Sequence, residues 1–188
     1  MNIPYTVERR PDTGVTNVTM GVWLFLASEV MLFGALFSAY ALLRVSAPAW
    51  PSGRDVLDLK MGVINTAVIL ISTALVWRAS RMHPVHGRRV AVSTLLAVAF
   101  LAFKALEYHD DFARGLVPSV NTFLAMYFTL TGLHALHVVG GAMANVWLLA
   151  SARRVDARMT TGRAHAIALY WVFVDVVWLV IFGLFYLS

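Results

Sequence analysis

Polar and apolar positions along the 188 residues are gathered into long blocks rather than alternating. Five predominantly apolar runs, residues 20–43, 61–80, 90–108, 121–150 and 166–187, are separated by short stretches rich in Arg, Pro, Gly, Asp and His. An α-helix crosses ~30 Å of hydrocarbon with ~20 residues, each rising ~1.5 Å. Every run is of that order, and the fourth is long enough to tilt or to project beyond the lipid. The pattern predicts an all-α integral membrane bundle of five transmembrane helices. Turn chemistry marks the breaks. Pro48, Pro51 and Gly53 follow the first run, Pro84 and Gly87 separate the second from the third, and Gly115 and Pro118 lead into the fourth, with Ser119 or Asn121 as its N-cap. Residues 1–19 form a polar tail and residues 20–188 a single transmembrane domain. The first run is too long for the apolar core of a cleaved signal and is expected to be retained.

Basic residues set the orientation. Arg9, Arg10, Arg78, Arg81, Arg88, Arg89, Arg153, Arg154, Arg158 and Arg163 fall on one side of the five helices. Arg44, Arg54, Lys60 and Arg114 fall on the other, beside Asp55, Asp58, Asp110 and Asp111. Positively charged loops stay in the cytoplasm. The N-terminus is therefore expected to be cytoplasmic and the C-terminus outside. Lys104 lies near the outer end of the third helix, where it either snorkels out or pairs with Glu107 three residues on.

Composition narrows the chemistry. The chain is 60% hydrophobic and 13% charged, with a mean hydropathy of +0.72, which makes lipid its main solvent. The net charge of +5 is spread over the loops rather than gathered in one patch, which argues against nucleic acid. With no cysteine, disulfides, thiolate metal sites and cysteine nucleophiles are excluded. The loops are too short to build a soluble active site, and no phosphate-binding glycine loop or nucleophile elbow is present.

What remains are ionisable groups inside the apolar runs. Glu29 and Asp175 lie on the order of 15 Å deep in the first and fifth helices. A carboxyl at that depth costs ~2.5–3.5 kcal/mol unless it is paired or neutral, so neither should face lipid. His134 and His137 are at i, i+3 near the middle of the fourth helix, with Gly141 and Asn145 continuing their stripe. Asn65 and Ser72 share a stripe on the second helix, and Trp171, Asp175 and Trp178 share a face of the fifth. Three readings fit these groups. They cross-link helices by hydrogen bonds, they line a proton or ion pathway, or His134, His137 and Glu29 hold a metal, although bundle metal sites carry more carboxylates than this depth offers.

The motifs taken together resemble subunit III of the haem-copper respiratory oxidases. Residues 21–33 (GVWLFLASEVMLF) are similar to that family's signature helix with its buried glutamate. Residues 59–80, with Asn65, Thr66 and Trp77, look like the next helix. Residues 103–108 (FKALEY), 131–138 (TGLHALHV) and 170–178 (YWVFVDVVW) are similar to the three motifs that follow, in the same order. Val172 stands where the family pattern has histidine. The five-helix length resembles the short bacterial form of the family.

The resemblance implies a non-catalytic subunit of a proton-translocating terminal oxidase in the bacterial inner membrane. It implies no haem, copper or other metal in this chain, haem and copper in partner subunits, and a partnership with subunit I, subunit II and further subunits. It also implies phospholipid bound between helices and support of proton uptake and turnover stability. Glu29 would be the carbodiimide-reactive carboxyl, with His134, His137, Asp175, Glu107 and Asn65 as inter-helix or proton-related groups. The electron donor is cytochrome c or quinol. An accessory subunit of a nitric oxide reductase, or a free-standing proton or ion transporter, stands as the alternative.

Overall fold

The computed structural model describes residue 8, residues 10–152 and residues 155–188, and every element among them is helical. The helices are α1 (Asn17–Ser46), α2 (Gly53–Val56), α3 (Leu59–Ser80), α4 (Gly87–Ala113), α5 (Thr122–Ser151) and α6 (Ala157–Tyr186). All but the one-turn α2 are long and apolar enough to cross a membrane. Arg9, Arg153, Arg154 and most of the first half of the tail lie outside the described residues.

The helices outrun the apolar blocks that predict them. α6 starts at Ala157, not near 166, and α4 continues to Ala113 beyond 108. Hydropathy marks the part of a helix that lipid can surround, whereas the hydrogen-bond ladder runs on until capping chemistry stops it. Thr16 caps α1 by accepting from the Thr19 N–H at 3.2 Å. Asp58 caps α3 through the N–H groups of Lys60 and Met61 at 2.8 and 3.2 Å. Asn121, one of the two expected caps, accepts from the Leu124 N–H at 2.8 Å at the start of α5. α4 ends in a Schellman motif. The Leu116 N–H donates to the Asp111 carbonyl and the Gly115 N–H to that of Phe112, with Gly115 at φ 76°. A left-handed residue at that position requires glycine's missing Cβ.

α3, α4, α5 and α6 form a ring in which each helix packs against the next and α6 closes back onto α3. Short connections make this ring up-and-down. α1 lies outside it, parallel to α6 and only lightly against α5. Its buried side chains, Leu26, Phe33 and Tyr40, are spaced seven apart and trace one narrow stripe. The rest of α1 offers Trp23, Leu24, Met31 and Leu42 outward, Met31 with 76% of its surface exposed. Large apolar residues face outward on every long helix, as expected where lipid is the solvent.

The end at which α1, α4 and α6 finish, called upper here, is covered by the segment from residue 47 to 58. Trp50 packs edge-on against Tyr40 and Phe123 at centroid distances of 5.4 and 5.8 Å. The Gly53 N–H donates to the Ser188 carbonyl at 3.1 Å. Tyr40 on α1 donates its hydroxyl to the Leu184 carbonyl of α6 at 2.8 Å, which pins the upper ends of these two helices together.

Close approach inside the ring depends on Gly141 of α5, where a Cβ would lie 2.7 Å from the Trp171 ring of α6. Trp171 is fully buried and cannot yield. Gly141→Ala is expected to destabilise the protein by about 1–3 kcal/mol through overpacking. Gly34→Ala on α1, where nothing lies within 4 Å of the added Cβ, should leave stability unchanged or slightly raised. Equilibrium unfolding of the two variants in mixed micelles checks the contrast.

Candidate functional site

The ionisable residues of the bundle resolve into separate neighbourhoods. Glu29 of α1 meets His137 of α5, with Oε2 and Nε2 2.9 Å apart. The other imidazole nitrogen, Nδ1, lies 2.8 Å from the Leu133 carbonyl one turn back. A carbonyl only accepts, so Nδ1 carries a hydrogen and the tautomer is assigned. Nε2 is then the nitrogen left to share a hydrogen bond with the Glu29 carboxyl. Tyr170 of α6 donates its hydroxyl to the His137 carbonyl at 2.8 Å, and Phe33 lies edge-on to the imidazole at 5.1 Å. The pair is not sealed in the core. Its side chains keep 13% and 14% of their surface exposed, at the shallow seam between α1 and α5.

His134 does not join them. It turns into the ring, fully buried, with Phe100 of α4 and Trp178 of α6 at centroid distances of 5.7 and 5.1 Å. Three residues along a helix turn a side chain through about 300°. Here that angle separates two environments instead of gathering both imidazoles at one site. Glu29, His134 and His137 are thus not assembled as a set of ligands. Among the described residues, no group of three or more His, Asp or Glu side chains is placed to hold a metal ion.

Asp175 lies at about the height of Glu29, because Phe25 packs on Tyr170 and Tyr40 bonds to Leu184. Its carboxyl is directed elsewhere, beside Thr73 of α3. Asp175 Oδ1, Thr73 Oγ1, both amide atoms of Asn65 and both ring nitrogens of His134 have no hydrogen-bond partner among the described residues.

Near the upper end the core holds an ion pair whose every hydrogen-bonding group is used. Lys104, 2% exposed, donates to Glu107 Oε2 at 3.1 Å and to the hydroxyls of Tyr127 and Tyr186 at 2.7 Å each. Those three acceptors match the three N–H bonds of an ammonium. Both tyrosines in turn donate to Glu107 Oε1, at 2.8 and 2.5 Å. Lys104 therefore pairs inward and does not snorkel. A polar cleft of about 420 Å³, lined by Asp58, Met61, Glu107, Asp110 and Arg114, opens from the upper end toward Glu107. Buried Asp111 pairs there with Arg114.

A second polar layer crosses the ring lower down. The Trp171 indole N–H donates to Asn145 Oδ1 at 3.3 Å, Asn145 Nδ2 donates to Ser93 Oγ at 3.4 Å, and Ser93 and Ser72 share a hydroxyl hydrogen bond of 2.8 Å. One residue comes from each of α6, α5, α4 and α3. Tyr127, Tyr186 and Ser93 were not among the residues singled out from the sequence. The signal that finds the tyrosines is the Lys104 ammonium itself, which needs more acceptors at its depth than Glu107 alone supplies.

A sequence model describing cytochrome c oxidase subunit III matches residues 11–188. The chain belongs to this family. It is 33% identical over 180 residues to the cytochrome bo(3) ubiquinol oxidase subunit 3 of Pseudomonas aeruginosa, spanning 91% of this chain and 85% of that protein. It is 32% identical over 176 residues to the cytochrome c oxidase subunit 3 of Thermostichus vulcanus, spanning 89% and 86%. It is also 32% identical over 183 residues to a haem-copper oxidase subunit I+III of Aeropyrum pernix, covering 90% of this chain and 22% of that longer protein. As a subunit III, the chain is a non-catalytic, multi-pass membrane component of a haem-copper terminal oxidase.

The upper cluster of this subunit III gives a direct test of how its core is held. Lys104→Met strands the Glu107 carboxylate in the bundle and should cost about 3–5 kcal/mol, the usual effect of halving a buried pair. The double variant Lys104→Met with Glu107→Leu should recover most of that loss. A double-mutant cycle on unfolding in mixed micelles measures the coupling.

Proposed function

We propose that this chain is the accessory subunit III that docks on the haem-copper subunit I, in a complex with subunit II and further subunits, in the bacterial inner membrane. In this role it sustains proton uptake and turnover stability and carries bound phospholipid, while oxygen reduction takes place on the haem and copper of its partners. The observation that carries the reading is the Glu29–His137 pair. It joins a carboxyl and an imidazole within the membrane-spanning helices, at a seam of the bundle. Fusion of subunits I and III in the A. pernix relative supports direct contact with subunit I. Relatives named for both ubiquinol and cytochrome c leave either as electron donor to the complex.

In this reading His137 holds the Glu29 carboxyl in one orientation and exchanges one proton with it. Tyr170 fixes the backbone carrying His137. Asp175, His134, Asn65 and Glu107 have inter-helix or proton-related roles inside the bundle, and Glu107 has the polar cleft as its aqueous approach. Glu29→Ala should leave the initial rate of oxygen consumption by the purified complex near the wild-type value and shorten the number of turnovers before inactivation severalfold. An immediate loss of oxygen reduction would contradict this assignment.

The charges at the two ends of the bundle support one orientation in the membrane. Arg10, Arg78, Arg81, Arg88, Arg89, Arg158 and Arg163 lie at the lower end, whereas Arg44, Arg54, Lys60 and Arg114 lie at the upper end. The lower end, with the tail of residues 1–19, faces the cytoplasm in this reading. Alkaline phosphatase fused after Ser188 should be active and the same reporter fused after Arg81 inactive. The reverse pattern would invert the topology.

A further inference from the structure

The outer surface between α4 and α5 changes character halfway along. In its upper half the space is filled by Tyr108, Phe112 and Phe128. The Tyr108 and Phe128 rings meet edge-on at 4.9 Å, and those of Phe112 and Phe128 stack at 5.2 Å. In its lower half the two helices leave an open groove. One section of about 440 Å³ is lined by Thr94, Val98 and Leu101 of α4 and by Val139, Met143 and Val146 of α5, and its lining is almost wholly apolar. A wider section of about 780 Å³ continues from Val146 down to Leu149, Ala91 and Arg88. The groove thus runs from Leu101 to Arg88, ~20 Å along α4 at ~1.5 Å per residue. That is the depth of one leaflet, about half of the ~30 Å hydrocarbon plus its interface.

The mouth of the groove is basic. Arg88 lines it and is exposed to the surroundings. Trp147, on the wall of the upper section, carries the Arg163 guanidinium 4.5 Å above its ring. Tryptophan and arginine together at the end of an apolar span mark the headgroup level. The groove therefore combines an apolar upper section, a lower section in which polar surface joins the apolar wall, and Arg88 at its mouth.

We propose that the α4–α5 groove holds one acyl chain of an anionic glycerophospholipid from the leaflet on the Arg88 side, its phosphate facing Arg88. This names a place and a headgroup class for the phospholipid binding proposed above, and it rests on that reading. A transmembrane helix of a neighbouring subunit fits less well. Such a helix spans the whole hydrocarbon thickness, whereas the groove ends at Leu101 and Val139, about half of it. Arg88 at the mouth favours an anionic headgroup over a zwitterionic one.

The test uses the purified oxidase complex, stripped of lipid in detergent and titrated with phosphatidylglycerol or phosphatidylcholine, with bound molecules and subunits counted by native mass spectrometry. Val98→Trp fills the groove from its surface, and Leu95→Trp, on the exposed side of the same helix but outside the groove, serves as the matched control. The wild-type complex and Leu95→Trp should each hold one more phosphatidylglycerol than Val98→Trp. Arg88→Gln should weaken phosphatidylglycerol about fivefold, the effect of one cation at an anionic headgroup, and leave phosphatidylcholine unchanged. Equal phosphatidylglycerol counts in all four proteins would overturn this site and leave lipid binding by the subunit standing. A wild-type complex that binds neither lipid would remove both. Loss of another subunit from Val98→Trp, in place of a lipid, would assign the groove to a protein helix and also overturn the proposal.

Discussion

Leaving a polar group unpartnered inside lipid is costly, and two layers of the bundle meet that cost with hydrogen bonds, while Asp175, Thr73, Asn65 and His134 each keep a buried polar atom without a partner among the described residues. The ring of four helices is joined by the two polar layers. The upper one draws Lys104 and Glu107 from α4, Tyr127 from α5 and Tyr186 from α6. The lower one links Trp171, Asn145, Ser93 and Ser72 through all four helices. Apolar contacts alone give no strong drive between helices already surrounded by hydrocarbon, so such layers fix register and neighbour choice. Glycine supports them where space is short. A Cβ on Gly62 would lie 2.6 Å from the Tyr186 ring, so α3 must present no side chain at the place where the upper layer closes.

The same cost separates what could be read from the sequence from what could not. Helix number was legible because lipid imposes a length on every apolar run. Helix ends were less so: α6 reaches nine residues below its apolar run, since Arg158, Thr160 and Arg163 are compatible with helix and simply stand in the interface. The need of Glu29 for a partner was legible from its depth. The choice between His134 and His137 was not, because it depends on which way the ring of helices turns α5. Lys104 had two solutions on local grounds. The inward one prevails because two tyrosines, 23 and 82 residues away, arrive at its height. Such non-local arrivals leave no trace in periodicity.

Membership of the subunit III family sets this buried polarity in a subunit of a larger oxidase. The chain supplies no metal ligand set among its described residues, and its relatives are named as parts of larger oxidases. Its two kinds of carboxyl site differ accordingly. Glu107 is immobilised by three hydrogen bonds, from Lys104, Tyr127 and Tyr186, as a structural counter-charge. Glu29 has one partner, His137, and lies where a seam leaves part of it uncovered.

The narrow attachment of α1 has an evolutionary side. Leu26, Phe33 and Tyr40 form its buried stripe, and Glu29 contributes its polar bond across to α5. At the remaining positions lipid sets the demand, and many apolar residues of different size satisfy lipid equally well. Sequence drift along α1 should therefore be rapid in size and shape but slow in polarity, broken by four fixed points. α6, which touches α1, α3 and α5 at once, has few such free positions. One chain thus carries two kinds of constraint, a scaffold whose positions are set by its neighbours and a first helix whose outward face answers only to its surroundings.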